Sequence, residues 1–277
     1  MKNNIWSIII LVVFCSCTLD NNHTALSLIP NITESGKENL LFDEDIRTAH
    51  ILVALCDNKY QGIVPVPAKI GNGQDPDKNL YWGAMYGIRT YFKHSKEWTL
   101  VRKTPVNNQI LERLVFKHKT QDFYLIADAY DGKAIKQTTI DFLKSSAGQL
   151  KDTLQINNKI LGINGNAKLL VYVGHDGLMD FTLDDTYNNA DEKLRDVMIL
   201  ACYSKRFFSP LLEDCNVNPL VWSSHLMAPE AYLVHNALEG YIQKEDNEAI
   251  RSRAAAAYAK YQRCSLKAAR NLLLTGW

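Results

Sequence analysis

The chain has 277 residues, 47% of them apolar and 22% charged, with 31 basic against 30 acidic side chains. A net charge of +1 at pH 7 excludes recruitment of nucleic acid or an anionic surface by bulk field. The length suits one sizeable α/β core behind an N-terminal leader.

Lys2 precedes an uncharged apolar run from Ile5 to Phe14. That run is too short to span a bilayer as a helix but suits the apolar segment of a secretory signal. In Phe14-Cys15-Ser16-Cys17, a small residue stands directly before a cysteine. This resembles a loose form of the bacterial lipoprotein lipobox; an ordinary secretory signal with incidental cysteines is the other reading. The resemblance implies that residues 1–16 are removed, that Cys17 carries lipid, and that the protein sits in the bacterial cell envelope, held to a membrane by that lipid. Lys2 is the one charge lost, which leaves 30 basic and 30 acidic residues. Residues 17–45 read as a polar tether, interrupted by Pro30. Residues 46–277 read as the folded domain, closed by a helical extension.

Along the domain, "AHILVALC" (49–56) is a continuous apolar run with β-branched members, the pattern of a strand buried on both faces. "NLYWGAMYGIRTYF" (79–92) has apolar residues at helical spacing. "FYLIADAYDG" (123–132) predicts a second strand, closed by Asp-Gly. Thr138 or Thr139 is placed to cap a helix through "IDFLKSSAG", with Gly148 as its stop. "AKLLVYVGHDG" (167–177) and "VMILAC" (197–202) predict the third and fourth strands. "SKRFFSPLLEDC" reads as helical around Pro210, "LVWSSHLM" (220–227) as a fifth strand, and "APEAYLVHNALEGYI" as a helix opened by Pro229 and Glu230. Residues 246–274 read as one or two further helices. The alternation predicts a mostly parallel sheet with helices on both faces.

Parallel strands joined by crossovers end at one edge, where ligand sites collect. Three predicted strands end there in reactive side chains: Cys56 and Asp57; His175, Asp176 and Gly177; Cys202 and Ser204. About twenty residues separate His175 from the next strand, enough for a helical crossover. On neighbouring strands, about 4.8 Å apart, His175 and Cys202 would project side by side. A Cys–His pair supports nucleophilic catalysis, because an imidazole can take the thiol proton and return it to a leaving amine. Backbone N–H groups of Gly177 and Cys202 are candidates to hold the oxyanion.

An apolar strand into His-x-Gly, then an apolar strand into Ala201-Cys202, resembles the clan CD cysteine peptidases, the superfamily of caspases, legumains, gingipains and clostripains. The resemblance implies a caspase-like three-layer α/β sandwich, with His175 as catalytic histidine and Cys202 as nucleophile. With the lipid on Cys17 it implies a membrane-anchored peptidase that acts on a peptide or protein; no cofactor is expected, and no Cys/His spacing resembles a zinc site. The family pattern places glycine directly after histidine; here Asp176 intervenes. The oxyanion donor is then the N–H of Asp176 or of Gly177, or the loop is reshaped and the site inactive. Ser223, Ser224 and His225, with Asp57, are placed to line a substrate pocket. Asp180, Asp184 and Asp185 would favour a basic substrate residue. The alternative from another class is a surface lipoprotein that keeps this fold as a binding or scaffold module.

Other features read more plainly. Cys56 is a rival nucleophile without an accompanying His-Gly. Ser204 and Ser224 lack the Gly-x-Ser-x-Gly turn of serine hydrolases. Asp75, Asp77 and Asn79 alternate as calcium ligands do, but Leu80 and Tyr86 stand where an EF-hand needs Gly and Glu, so a turn is expected. With Cys17 lipidated, Cys56, Cys202, Cys215 and Cys264 remain, and a Cys215–Cys264 bridge would leave the other two free.

Overall fold

The structure, a computed structural model, describes residues 41–277. The predicted signal, Cys17 and most of the predicted tether lie outside the described residues. Among the described residues, no helix is long and apolar enough to cross a membrane. The chain is already held at Asp43, whose backbone N–H donates to the carbonyl of Ile160 at 2.9 Å.

In chain order the first elements are β1 (Arg47–Ala54), α1 (Ile88–His94), β2 (Trp98–Thr104), β3 (Ile110–His118), β4 (Phe123–Tyr130), α2 (Ile135–Ser146), β5 (Lys151–Ile156) and β6 (Lys159–Asn164). There follow β7 (Leu169–Val173), β8 (Arg195–Leu200), α3 (Ser204–Leu212), β9 (Val217–Ser223), α4 (Ala231–Ile242), α5 (Asn247–Gln262), α6 (Leu266–Leu272) and β10 (Leu273–Leu274). Eight strands form one sheet in the order β10-β9-β8-β7-β1-β4-β3-β2. The five central strands, from β9 to β4, are mutually parallel, and β10, β3 and β2 add antiparallel edges.

Side-chain alternation divides the core in two. Ile51, Val53, Val171 and Met198 point to one face, where they meet Ile88 and Phe92 of α1, Leu233 and Leu238 of α4, and Ala254 and Tyr258 of α5. Leu52, Leu170, Tyr172 and Ile199 point to the other, against Phe142 and Leu143 of α2 and Phe208 and Leu212 of α3. Each fully buried Val, Leu, Ile, Phe or Met among them contributes about 1.5–3 kcal/mol by leaving water. The β1 run is buried on both faces, as its unbroken hydrophobicity predicts.

Several expectations are corrected. The helical spacing at 79–92 gives a helix only over Ile88–His94, because Asn79 draws the Cys56 and Tyr81 amides into a turn. Thr138 and Thr139 lie inside α2 and bond back to the carbonyls of Ala134 and Ile135 instead of capping it. Gly148 does close that segment, at φ +69°. The crossover from β7 to β8 holds no helix beyond one 3₁₀ turn at Gly177–Met179. Its Asn- and Asp-rich stretch lacks helical periodicity, and Phe181, Leu183 and Tyr187 anchor it on the α2–α3 face instead. Cys56, Cys202, Cys215 and Cys264 are all free. The expected Cys215–Cys264 bridge is therefore absent, because the two thiols pack on opposite faces of the sheet. The turn expected at 71–79 is present, with Asp77 engaged by Arg89 at 2.7 Å.

Candidate active site

Strand register brings the predicted pair together. Val173 of β7 pairs with Leu200 of β8, so His175 and Cys202 each stand two residues beyond the same rung. Adjacent parallel strands lie about 4.8 Å apart, which puts both side chains at one level of the carboxyl edge. Gly174 makes the exit from β7 feasible: its φ is +147°, and a Cβ there would lie 2.7 Å from the Ala54 carbonyl oxygen.

The Cys202 turn is built from serines. Ser204 Oγ donates to the Ile199 carbonyl at 2.7 Å and accepts the Ser223 amide at 2.8 Å. Ser223 Oγ donates to the Ala201 carbonyl and accepts the Ser204 amide at 3.1 Å. Between them Tyr203 adopts a left-handed conformation, φ +50°, and its amide donates to the His225 carbonyl at 3.0 Å. This fastening leaves the half-buried Cys202 facing the segment after β9. Its thiol lies 3.5 Å from the Met227 carbonyl and accepts the Met227 amide at 3.4 Å. Burial raises the Cys202 pKa; the Met227 amide opposes this, and the Asp176 charge adds to it. At rest the sulfur therefore carries its proton.

His175 is 6% exposed and is oriented by a carboxylate. Its Nε2 lies 2.8 Å from Asp180 Oδ2, and the same oxygen accepts the Gly62 amide at 2.8 Å. The Tyr172 hydroxyl donates to the His175 carbonyl at 2.8 Å. With Nε2 committed to Asp180, Nδ1 makes no hydrogen bond to a described residue, and none joins His175 to Cys202. Asp180, which the sequence reading offers as a substrate-selecting acid, is thus occupied with the histidine. The signal lies five residues downstream, within reach of a tight turn.

Asp176 points inward. It is fully buried, its Oδ1 accepts the Leu178 amide at 3.0 Å, and its Oδ2 has no partner. Burial pushes its pKa up to about 7; the Leu178 amide opposes this, and Asp180 adds to it. Of the three amides offered for the oxyanion, that of Gly177 lowers the pKa of the buried Tyr172 hydroxyl, though burial outweighs it. The amides of Asp176 and Cys202 donate to no described residue.

The remaining candidates are placed as follows. Asp57 is buried, and its carboxylate accepts the Lys59 and Tyr60 amides at 2.8 and 3.1 Å and the Gln74 side chain at 2.8 Å, so it shapes the loop after β1. Ser223 is buried in the serine fastening, and Ser224 donates to the Asn271 carbonyl at 2.9 Å. His225 is exposed and packs on Tyr203 with ring centroids 4.7 Å apart. Asp184 and Asp185 are exposed on the crossover, and Asp185 acts on Tyr187, whose carbonyl meets the Cys215 thiol before β9. Cys56 is fully buried, its backbone N–H and carbonyl both clamped by Asn79 at 3.1 and 2.8 Å. Burial, with the Asp57 charge, pushes its thiol up to about 12. Among the described residues, no three His, Cys, Asp or Glu side chains are grouped to hold a metal.

No family model, no curated protein and no solved structure matches this chain.

Proposed function

We propose that the chain is a cysteine peptidase, or a related amide hydrolase, on a caspase-like α/β fold, anchored to the envelope by lipid on Cys17. The observation that carries the reading is the register: His175 and Cys202 leave neighbouring parallel strands two residues past one shared rung. The Asp180 contact supports the same assignment, since it commits Nε2 and leaves Nδ1 for the sulfur.

In this mechanism the resting thiol gives its proton to His175 Nδ1 as the sulfur attacks the scissile carbonyl carbon. The oxyanion is held by the Cys202 amide, with that of Asp176 or Gly177. The imidazolium, stabilised by Asp180, protonates the leaving amine. Water then attacks the thioester with His175 as base, which releases the acid and restores the thiol. The binding-module alternative draws on the raised thiol and the missing Cys–His hydrogen bond.

Hydrolysis of a peptide library by the intact protein, by Cys202→Ala and by His175→Ala tests the mechanism. Cleavage by the wild type and loss in both variants is expected; cleavage unchanged in Cys202→Ala would overturn it. Alkylation separates the two readings further. A catalytic Cys202 reacts faster than Cys264, whereas equal sluggishness supports the binding module.

A further inference from the structure

We propose that Asp176 is a built-in brake on the Cys202 thiol: the negative charge of a buried carboxylate whose Oδ2 has no hydrogen-bond partner opposes formation of the thiolate. The proposal rests on reading Cys202 as the nucleophile, but it concerns the sulfur itself and stands or falls on thiol chemistry.

Four observations converge. Asp176 follows His175 directly, at the level where β7 and β8 deliver the pair. It is fully buried, so water does not screen its charge. Its Oδ2 has no hydrogen-bond partner. Its charge is among the lesser causes that raise the Cys202 and Tyr172 pKa values, after burial.

The surroundings leave that charge uncompensated. From its own loop Asp180 faces it, and a second carboxylate adds repulsion. Tyr172 of β7 offers its hydroxyl to the His175 carbonyl. From α2, Lys136 lies over the Phe181 ring, 5.8 Å from its centroid. From α3, Lys205 lies over Trp222 and Arg206 over Phe207. In the loop after β1, Lys59 lies over Tyr60. No described cation forms an ion pair with Asp176. A buried carboxylate in this position is unfavourable, so the group shares its proton with solvent near neutrality, and burial is the main cause.

The consequence has a definite sign. In mild acid Asp176 is protonated and the brake is off, but the thiol is protonated too. As pH rises through about 7, Asp176 ionises and the thiolate becomes harder to form. Thiolate therefore accumulates with a shallower pH dependence than an isolated thiol shows.

The test measures iodoacetamide alkylation of Cys202 in the intact protein against pH, for wild type, Asp176→Asn and Asp176→Ser. Both replacements remove the charge and keep an oxygen for the Leu178 amide. Each variant should alkylate about tenfold faster than wild type near pH 8 and within about twofold of it near pH 5.5, where Asp176 is already protonated in the wild type. Cys264 serves as the internal reference and should not change. Superimposable profiles in whichever variant folds would overturn the brake. Peptide hydrolysis surviving in Cys202→Ala would sink the peptidase and leave this result intact, so the two failures are separable.

Discussion

His50 in β1 and His175 beyond β7 each hold an aspartate through Nε2, at 3.0 and 2.8 Å, yet the two pairs do opposite work. His50 and Asp128 are both fully buried. His50 Nδ1 accepts the Asn164 amide at 3.0 Å, and Arg113 grips Asp128 with two bonds of 2.6 Å. Every polar atom of that imidazole is spent on joining β1 to β4 and to the end of β6, and Arg113 ties β3 to the same carboxylate. At His175 only Nε2 is spent, and the Asp180 side chain is 28% exposed. The difference teaches that a His–Asp contact becomes a catalytic candidate only when the second nitrogen is left unbonded beside a reactive group.

The comparison can be broken most sharply at the imidazoles. His175→Ala should lower peptide hydrolysis by about 10²–10⁴ and leave the unfolding midpoint nearly unchanged. An equal loss of stability would make His175 a structural residue like His50. Asp128→Asn should do the reverse. Removing one side of a buried ion pair costs roughly 3–5 kcal/mol, read by urea unfolding, while activity per folded molecule is kept.

Asp180→Asn is a milder case. Its amide oxygen can still accept from both Gly62 and Nε2, but without the negative charge it no longer stabilises the imidazolium, so kcat should fall at least about tenfold with little change in KM. A change confined to KM would return Asp180 to substrate binding.

The smallest effect is acid sensitivity. Burial pushes the Asp128 pKa up, but His50 and Arg113 outweigh it and hold the group below its ordinary value. A lowered folded pKa contributes stability above the unfolded value of about 3.9, and that contribution fades as pH falls through the folded value. Unfolding free energies at about pH 5 and about pH 3 should therefore converge more closely in Asp128→Asn than in wild type, by on the order of 1 kcal/mol.

How much of this was legible depends on the environment each residue reports. The five central strands announce themselves because burial on both faces makes them continuous apolar runs, as in "AHILVA". The edge strand "WTLVRKT" went unread, since Trp98 is its one buried residue and charged residues fill its outer half. The His175 and Cys202 positions were legible from strand ends alone. Cys56 ends a similar run and is equally apolar upstream; what seals it is Asn79, twenty-three residues later, through contacts that local pattern does not encode. The buried Asp176 was legible only as a break in a motif, because whether a carboxylate turns inward depends on the turn at Gly177–Met179. His50 carried no signal at all: one polar residue inside an apolar run does not reveal that Asp128, Arg113 and Asn164 will converge on it.

The link between β7 and β8 lies open to solvent over much of 182–194, and its ends are strands with five paired rungs. A protease nick there would sort the imidazole into the N-terminal fragment and the sulfur into the C-terminal one. Ladder bonds and shared core would still clasp the halves, so the severed protein should co-elute as one particle and separate only in denaturant.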